Sequence, residues 1–197
     1  AKGRVPIIAG AGSNDTRKAV ELSQIAKECG ADALLHVNPP YNKPTPDGLV
    51  AHFGAISSAV DLPIIIYNVP GRTGLNMKPE TVARIVREVP RIVGIKEASG
   101  DINQIADIIR NAPKGFAVLS GDDSMTVPAM VLGGVGCISV VSNEIPKEFS
   151  SMVSAALKGD WESAQRMHFE WLDLMQINFI ESNPIPVKAA LAMMGKI

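Results

Sequence analysis

Cysteine is scarce in this 197-residue chain: Cys29 and Cys137 stand far apart with no Cys-x-x-Cys spacing. That excludes a zinc-ribbon or dithiol redox motif and leaves two buried thiols in a reducing compartment as the expectation. An excess of either charge is missing too, with 19 basic and 20 acidic residues and a formal net charge of -1. A balanced surface offers no general electrostatic attraction to nucleic acid or to an anionic membrane, so neither is expected as a partner. No run approaches the roughly 18 apolar residues that span a bilayer. The opening Ala1-Lys-Gly-Arg-Val-Pro has no apolar signal-peptide segment. His36, His52 and His168 have no ligand spacing, and no metal is expected. What remains, 46% hydrophobic and 20% charged, reads as a globular, cytoplasmic protein.

The apolar residues come in short runs that alternate with amphipathic segments. Strands are predicted over Val5–Ala9, Ala33–Val37, Pro63–Tyr67, Ile92–Lys96, Phe116–Ser120 and Cys137–Val141, each followed by a helix. Continuous Ile/Val/Leu runs suit strands covered on both faces, so the sheet should be parallel. Repeated β/α units leave two architectures, a barrel or a doubly wound open sheet. After Val141 the pattern is helical, over about 146–157, 161–180 and 185–194. The expected organisation is a β/α portion over 1–145 with C-terminal helices over 146–197 packed on the same domain.

The chemistry-bearing residues fall at strand C-terminal ends. Lys96 closes the apolar run Ile92-Val-Gly-Ile. Its unperturbed pKa near 10.4 keeps lysine protonated at neutral pH, whereas apolar walls disfavour the ammonium and release a nucleophilic amine. An ordinary strand-end lysine reaching for water or pairing with Glu97 is the plainer alternative. Tyr67 closes the preceding strand, and consecutive parallel strands usually lie side by side, so the two side chains should emerge together. A hydrogen-bonded phenol there could move the protons of Schiff-base chemistry, where a packed core tyrosine could not. Arg72 follows in Gly71-Arg-Thr-Gly74; its planar fork suits a carboxylate. Asp122-Asp123 reads as a helix opening rather than a metal pair. The stripe Trp161, Met167, Trp171, Leu174 and Met175 reads as packing, within the subunit or between subunits, rather than as a cofactor box.

Six motifs then fall in order: Pro39-Pro-Tyr41-Asn, Tyr67-Asn-Val-Pro-Gly-Arg72-Thr-Gly74, Gly94-Ile-Lys96-Glu-Ala-Ser-Gly100, Leu119-Ser-Gly121-Asp-Asp123, Gly133-Gly-Val-Gly-Cys-Ile138-Ser and Asn183-Pro-Ile-Pro-Val-Lys188. Together they resemble the dihydrodipicolinate synthases over nearly the whole chain. The resemblance implies a lyase that condenses pyruvate with aspartate-semialdehyde in lysine and diaminopimelate biosynthesis. Lys96 would form the imine and Tyr67 would shuttle protons. Tyr41 would complete the relay, in this family from a neighbouring subunit. Arg72 would hold the aldehyde's carboxylate, and backbone groups at Gly121 and Ile138 would line the pyruvate pocket. The resemblance implies no metal and no cofactor beyond pyruvate bound covalently as substrate. It implies a homotetramer, a dimer of dimers. The fold implied is α/β, an eight-stranded (β/α)8 TIM barrel with a C-terminal helical extension. With six units in the chain, the first two strands are expected to lie before Ala1.

Two departures from the family pattern bear on function. The Thr-Thr-Gly-Glu stretch that supplies a relay threonine is absent from this sequence. Asn14 matches a lysine-effector residue, but Lys18 and Pro40 stand where lysine-sensitive members tend to have glutamate and tyrosine. A cation at position 18 should repel the effector's ammonium, so weak or no lysine inhibition is expected. Two other readings stay open: another pyruvate-dependent aldolase, such as an N-acetylneuraminate lyase or a 2-keto-3-deoxy sugar acid aldolase, and an inactive barrel remnant acting as a binding partner.

Overall fold

A computed structural model describes residues 1–197, which divide into two compact units, Ala1–Val118 and Leu119–Ile197. In the first unit the elements run β1 (Ile8–Gly10), α1 (Thr16–Glu28), β2 (Ala33–Val37), α2 (Pro46–Ala59), β3 (Ile64–Asn68), α3 (Pro70–Thr73), α4 (Pro79–Glu88), β4 (Ile92–Glu97) and α5 (Ile102–Asn111), and end in the first half of β5 (Ala117–Ser120). The strands from β1 to β4 pair in chain order and all in parallel, as their unbroken apolar runs demand. Their interior is filled by Leu34, Ile64, Ile66 and Ile95, each 0% exposed, under Phe53, Ile56 and Ile85 from the helices. Each such side chain contributes about 1.5–3 kcal/mol by leaving water.

Helix starts are written locally. Asp15 accepts the N–H groups of Arg17 and Lys18, Thr45 that of Gly48, and Asp101 those of Asn103 and Gln104. Gly94 lets β4 approach the next strand: a Cβ there would stand 2.6 Å from the carbonyl oxygen of Ala117. The β3–β4 ladder shifts by one residue. Ile64 pairs with Ile92 but Ile65 with Gly94, which leaves Val93 as the extra residue of a bulge.

The second unit holds the end of β5, α6 (Thr126–Val131), β6 (Gly136–Cys137), a 3-10 turn (Val141–Asn143), α7 (Pro146–Leu157), α8 (Trp161–Ile177) and α9 (Ile185–Met193). Leu119 and Ser120 pair in parallel with Gly136 and Cys137. Phe149, Met152, Ala164 and Met175 form its apolar core with Val127, Met130 and Val141, and Met167, Trp171 and Leu174 pack against it. Met167, Trp171, Leu174 and Met175 of the expected stripe thus pack within this unit, and Trp161 is 41% exposed.

Several sequence expectations need correction. The first strand begins at Ile8, not Val5, since Pro6 has no N–H to give a ladder. The strand expected over Cys137–Val141 ends at Cys137, because the Asp123 carboxylate takes the N–H groups of Val140 and Val141 and turns the chain. Asp123 therefore caps that turn instead of opening α6. The short α3, right after β3, was not foreseen. Cys29 is exposed and Cys137 only partly buried, its thiol 3.7 Å from Asp123, so neither is the buried core thiol expected. The last two helices end sooner, at Ile177 and Met193.

Candidate active site

The C-terminal ends of β2, β3 and β4 gather most of the expected site residues. Tyr67 pairs in register with Lys96, so on adjacent parallel strands both side chains leave from the same face. The Lys96 Nζ stands 4.2 Å from the centre of the Tyr67 ring, over its negative π face. Both residues are partly buried. Burial lifts the Tyr67 phenol above its ordinary 10.0, the Arg72 guanidinium pulls it down, and the Glu97 carboxylate lifts it again. The hydroxyl is thereby kept as a proton carrier rather than a phenolate.

Arg72 projects, exposed, from α3, the single turn that follows β3. That turn closes on Gly74 at φ 74°, a conformation glycine adopts without strain. It is tied down from inside: the buried Thr73 hydroxyl shares its one proton between the carbonyls of Val69 and Leu75, at 3.2 and 3.0 Å, and Asn38 Nδ2 donates to Leu75 O at 3.0 Å. The Arg72 charge reaches Tyr67 strongly enough to act on its titration.

Tyr41 differs from these. It lies in the loop after β2 at φ 73°, unusual for a side-chain-bearing residue, and is 89% exposed. Its N–H donates to Thr73 O at 3.0 Å, which fixes its backbone to the Arg72 turn while the ring points into solvent. Asn14 is exposed, and its carbonyl accepts from Asn42 Nδ2 at 3.1 Å. Lys18 pairs with Glu21 at 3.0 Å. In the second unit Gly121 follows β5 and Ile138 follows β6, and the Ile138 N–H donates to Ser120 O at 2.9 Å.

Sequence reasoning overlooked the residues on the far side of the Tyr67–Lys96 pair. Asn68 and Glu97 are 0% and 1% exposed and bonded to each other. The signal was available: a polar residue directly after each expected catalytic one, which strand alternation turns to the helix-covered face.

The model of the dihydrodipicolinate synthetase family matches residues 1–197. A protein of Maridesulfovibrio salexigens named 4-hydroxy-tetrahydrodipicolinate synthase is 57% identical over 196 residues, covering all of this chain and 67% of its own length. The dihydrodipicolinate synthase of Acinetobacter baumannii, solved in complex with pyruvate, superposes with a TM-score of 0.97 at 48% identity, over 100% of this chain and 67% of that one. A structure described as a monomeric dihydrodipicolinate synthase variant gives 0.97 at 46% identity, over 100% and 66%. The chain thus spans about two thirds of the length of these relatives.

Proposed function

The chain belongs to the dihydrodipicolinate synthetase family, and from that premise we propose that it condenses pyruvate with aspartate-semialdehyde through an imine on Lys96. The observation that carries the reading is the Lys96 nitrogen 4.2 Å from the Tyr67 ring, at paired strand ends, in a chain matched throughout by the family. The Lys96 amine adds to the pyruvate ketone, and the carbinolamine loses water to form the imine. Loss of a methyl proton gives the enamine, whose carbon attacks the aldehyde. The semialdehyde's own amine then displaces Lys96 and closes a six-membered ring with its hydroxyl at position 4. Each step moves a proton, and Tyr67 is the group placed to carry it. The imine itself is the electron sink, so neither metal nor organic cofactor is required.

Arg72 holds the carboxylate of the aldehyde, on an exposed turn that a charged substrate can reach. Tyr41 completes the relay from a neighbouring subunit of a homotetramer; its 89% exposure and pinned backbone fit a residue that serves a site other than its own. The family resemblance assigns pyruvate contacts to the backbone at Gly121 and Ile138. It also gives the six strands a place among the eight of a (β/α)8 barrel, with 146–197 as its helical extension. Lys18 and Pro40, where lysine-sensitive members tend to have glutamate and tyrosine, support weak or absent lysine inhibition.

Borohydride reduction in the presence of pyruvate tests the core of this reading. A pyruvyl adduct on the peptide containing Lys96, located by mass spectrometry, is the expected result; a folded protein with no adduct there would overturn it. Arg72→Ala should still trap pyruvate and lose at least tenfold in condensation, about the loss of one charged contact. Unchanged turnover would point to an aldehyde without a carboxylate.

A further inference from the structure

Behind the Tyr67–Lys96 pair lies a network of three amides around one carboxylate, buried at Asn68, Glu97 and Gln104 and partly buried at Asn76. Asn68 Nδ2 donates to Glu97 Oε1 and Oε2 at 3.2 and 3.0 Å and to Asn76 Oδ1 at 2.8 Å. Gln104 Nε2, from the first turn of α5, donates to Glu97 Oε2 at 3.2 Å and to Asn76 Oδ1 at 3.0 Å, and Asn76 Nδ2 donates back to Gln104 Oε1 at 2.9 Å. The Ser99 N–H meets Glu97 Oε1 at 2.7 Å, and the Met77 N–H meets Asn68 Oδ1 at 2.9 Å. A carboxylate only accepts, so Asn68 and Gln104 must turn their NH2 groups toward Glu97. That leaves Asn68 Oδ1 for Met77 and Gln104 Oε1 for Asn76. Glu97 thereby sets the direction of every side-chain bond in the network.

The network also selects a register. Continued without the shift at Val93, the pairing of Ile64 with Ile92 would set Tyr67 opposite Ile95 and Asn68 opposite Lys96. Lys96 would then leave on the helix-covered face, since a one-residue slip exchanges the faces of a strand. Only the shifted register sets Asn68 opposite Glu97, where their side chains bond. Asn76 and Met77 tie the segment after the Arg72 turn into the same knot.

We propose that Glu97 is a positioning residue for the chemistry at Lys96: by holding Asn68 across the strands it fixes the register that faces Lys96 to Tyr67. The inference rests on the Schiff-base reading. The same carboxylate acts through space, its negative charge opposing a second anion on the Tyr67 phenol.

Glu97→Gln tests both effects, because its amide keeps the shape but presents N–H groups to donors. Turnover should fall about tenfold to hundredfold, the cost of slight misplacement of reacting groups, with a smaller change in KM for pyruvate. The charge effect is read without turnover. The chain has 2 tyrosines, so in a Tyr41→Phe background the tyrosinate absorbance reports Tyr67 alone. Glu97→Gln should move that titration to lower pH. A folded Glu97→Gln protein with wild-type kcat, or one that loses kcat while Tyr67 titrates as in the wild type, overturns the proposal. Gln104→Met removes one tether and keeps the charge; it should lower kcat by a smaller factor and leave the titration in place, and it carries the test if Glu97→Gln does not fold. Wild-type kcat in Gln104→Met would likewise overturn it. If the wild type traps no pyruvate, the Schiff-base reading falls, and the titration still decides whether Glu97 acts on Tyr67.

Discussion

The first unit buries two polar clusters, and they differ in how completely they are paired. Around Glu97 every side-chain oxygen and nitrogen of Asn68, Asn76, Glu97 and Gln104 has a partner. Between α1, α2 and β2, by contrast, His36 and His52 each keep one ring nitrogen unpartnered. Ser23 spends its hydroxyl proton on Ala19 O at 2.6 Å, so His36 Nε2 must be the donor across the 3.1 Å to Ser23 Oγ. The bare Nδ1 of His36 is then a buried acceptor. His52 bonds Thr16 through Nδ1 at 2.8 Å and leaves Nε2 bare. A carboxylate with amides can close a network around a fixed charge, whereas imidazoles surrounded by hydroxyls stay neutral only while the solution lets them.

The largest effect should come from opening the closed cluster. Glu97→Ala takes the acceptor from the buried amides of Asn68 and Gln104 and from the partly buried Ser99 N–H, and urea denaturation should show a loss of about 4 kcal/mol, the cost of two to three unsatisfied donors. A loss below about 1 kcal/mol would mean that water replaces the carboxylate and that the two clusters are alike.

The open cluster should show itself through pH. Desolvation, with a smaller contribution from His52, lowers the His36 pKa from 6.5 to about 4; desolvation lowers that of His52 as well. The unfolded chain therefore takes up protons below about 6.5 that the folded chain refuses until about 4. Stability is full above that window and falls by about 3 kcal/mol as pH drops through it. Urea midpoints across the window should slope accordingly, and His36→Leu should flatten the slope. An unchanged slope in that variant would move the acid sensitivity elsewhere.

The smallest effect sharpens the contrast at the surface. Thr45 caps α2 through a 3.2 Å bond from the Gly48 N–H, within reach of solvent. Thr45→Ala should cost about 1 kcal/mol by thermal unfolding, because water replaces the lost acceptor.

Much of this was legible in the sequence where the physics is local. Strands β2 to β5 and helices α1, α2, α4, α5 and α7 follow from apolar periodicity, with capping side chains at α1, α2 and α5 and a first-turn proline at α4 and α7. The pairing of Tyr67 with Lys96 followed from their places at the ends of consecutive strands. The fate of Cys137–Val141 was not legible, because those apolar residues look like a strand until Asp123 takes their N–H groups. Nor was the closure of the Glu97 network by Asn76 and Gln104: alternation could place Asn68 and Glu97 on the covered face, but Gln104 lies 36 positions from Asn68 and joins it only through the fold. The tether beneath the Arg72 turn, through Asn38 and Thr73, was hidden for the same reason.

The extra residue in β4 makes the two halves of that strand unequal before insertion and deletion. Removing Val93 would join Ile92 to Gly94 and leave their pairings with Ile64 and Ile65 adjacent, so Lys96 would stay where it is. Removing one residue between Gly94 and Lys96 would carry the lysine to the helix side and bring the glutamate out in its stead. Length in this strand is therefore negotiable upstream of Gly94, and beyond it only in steps of two.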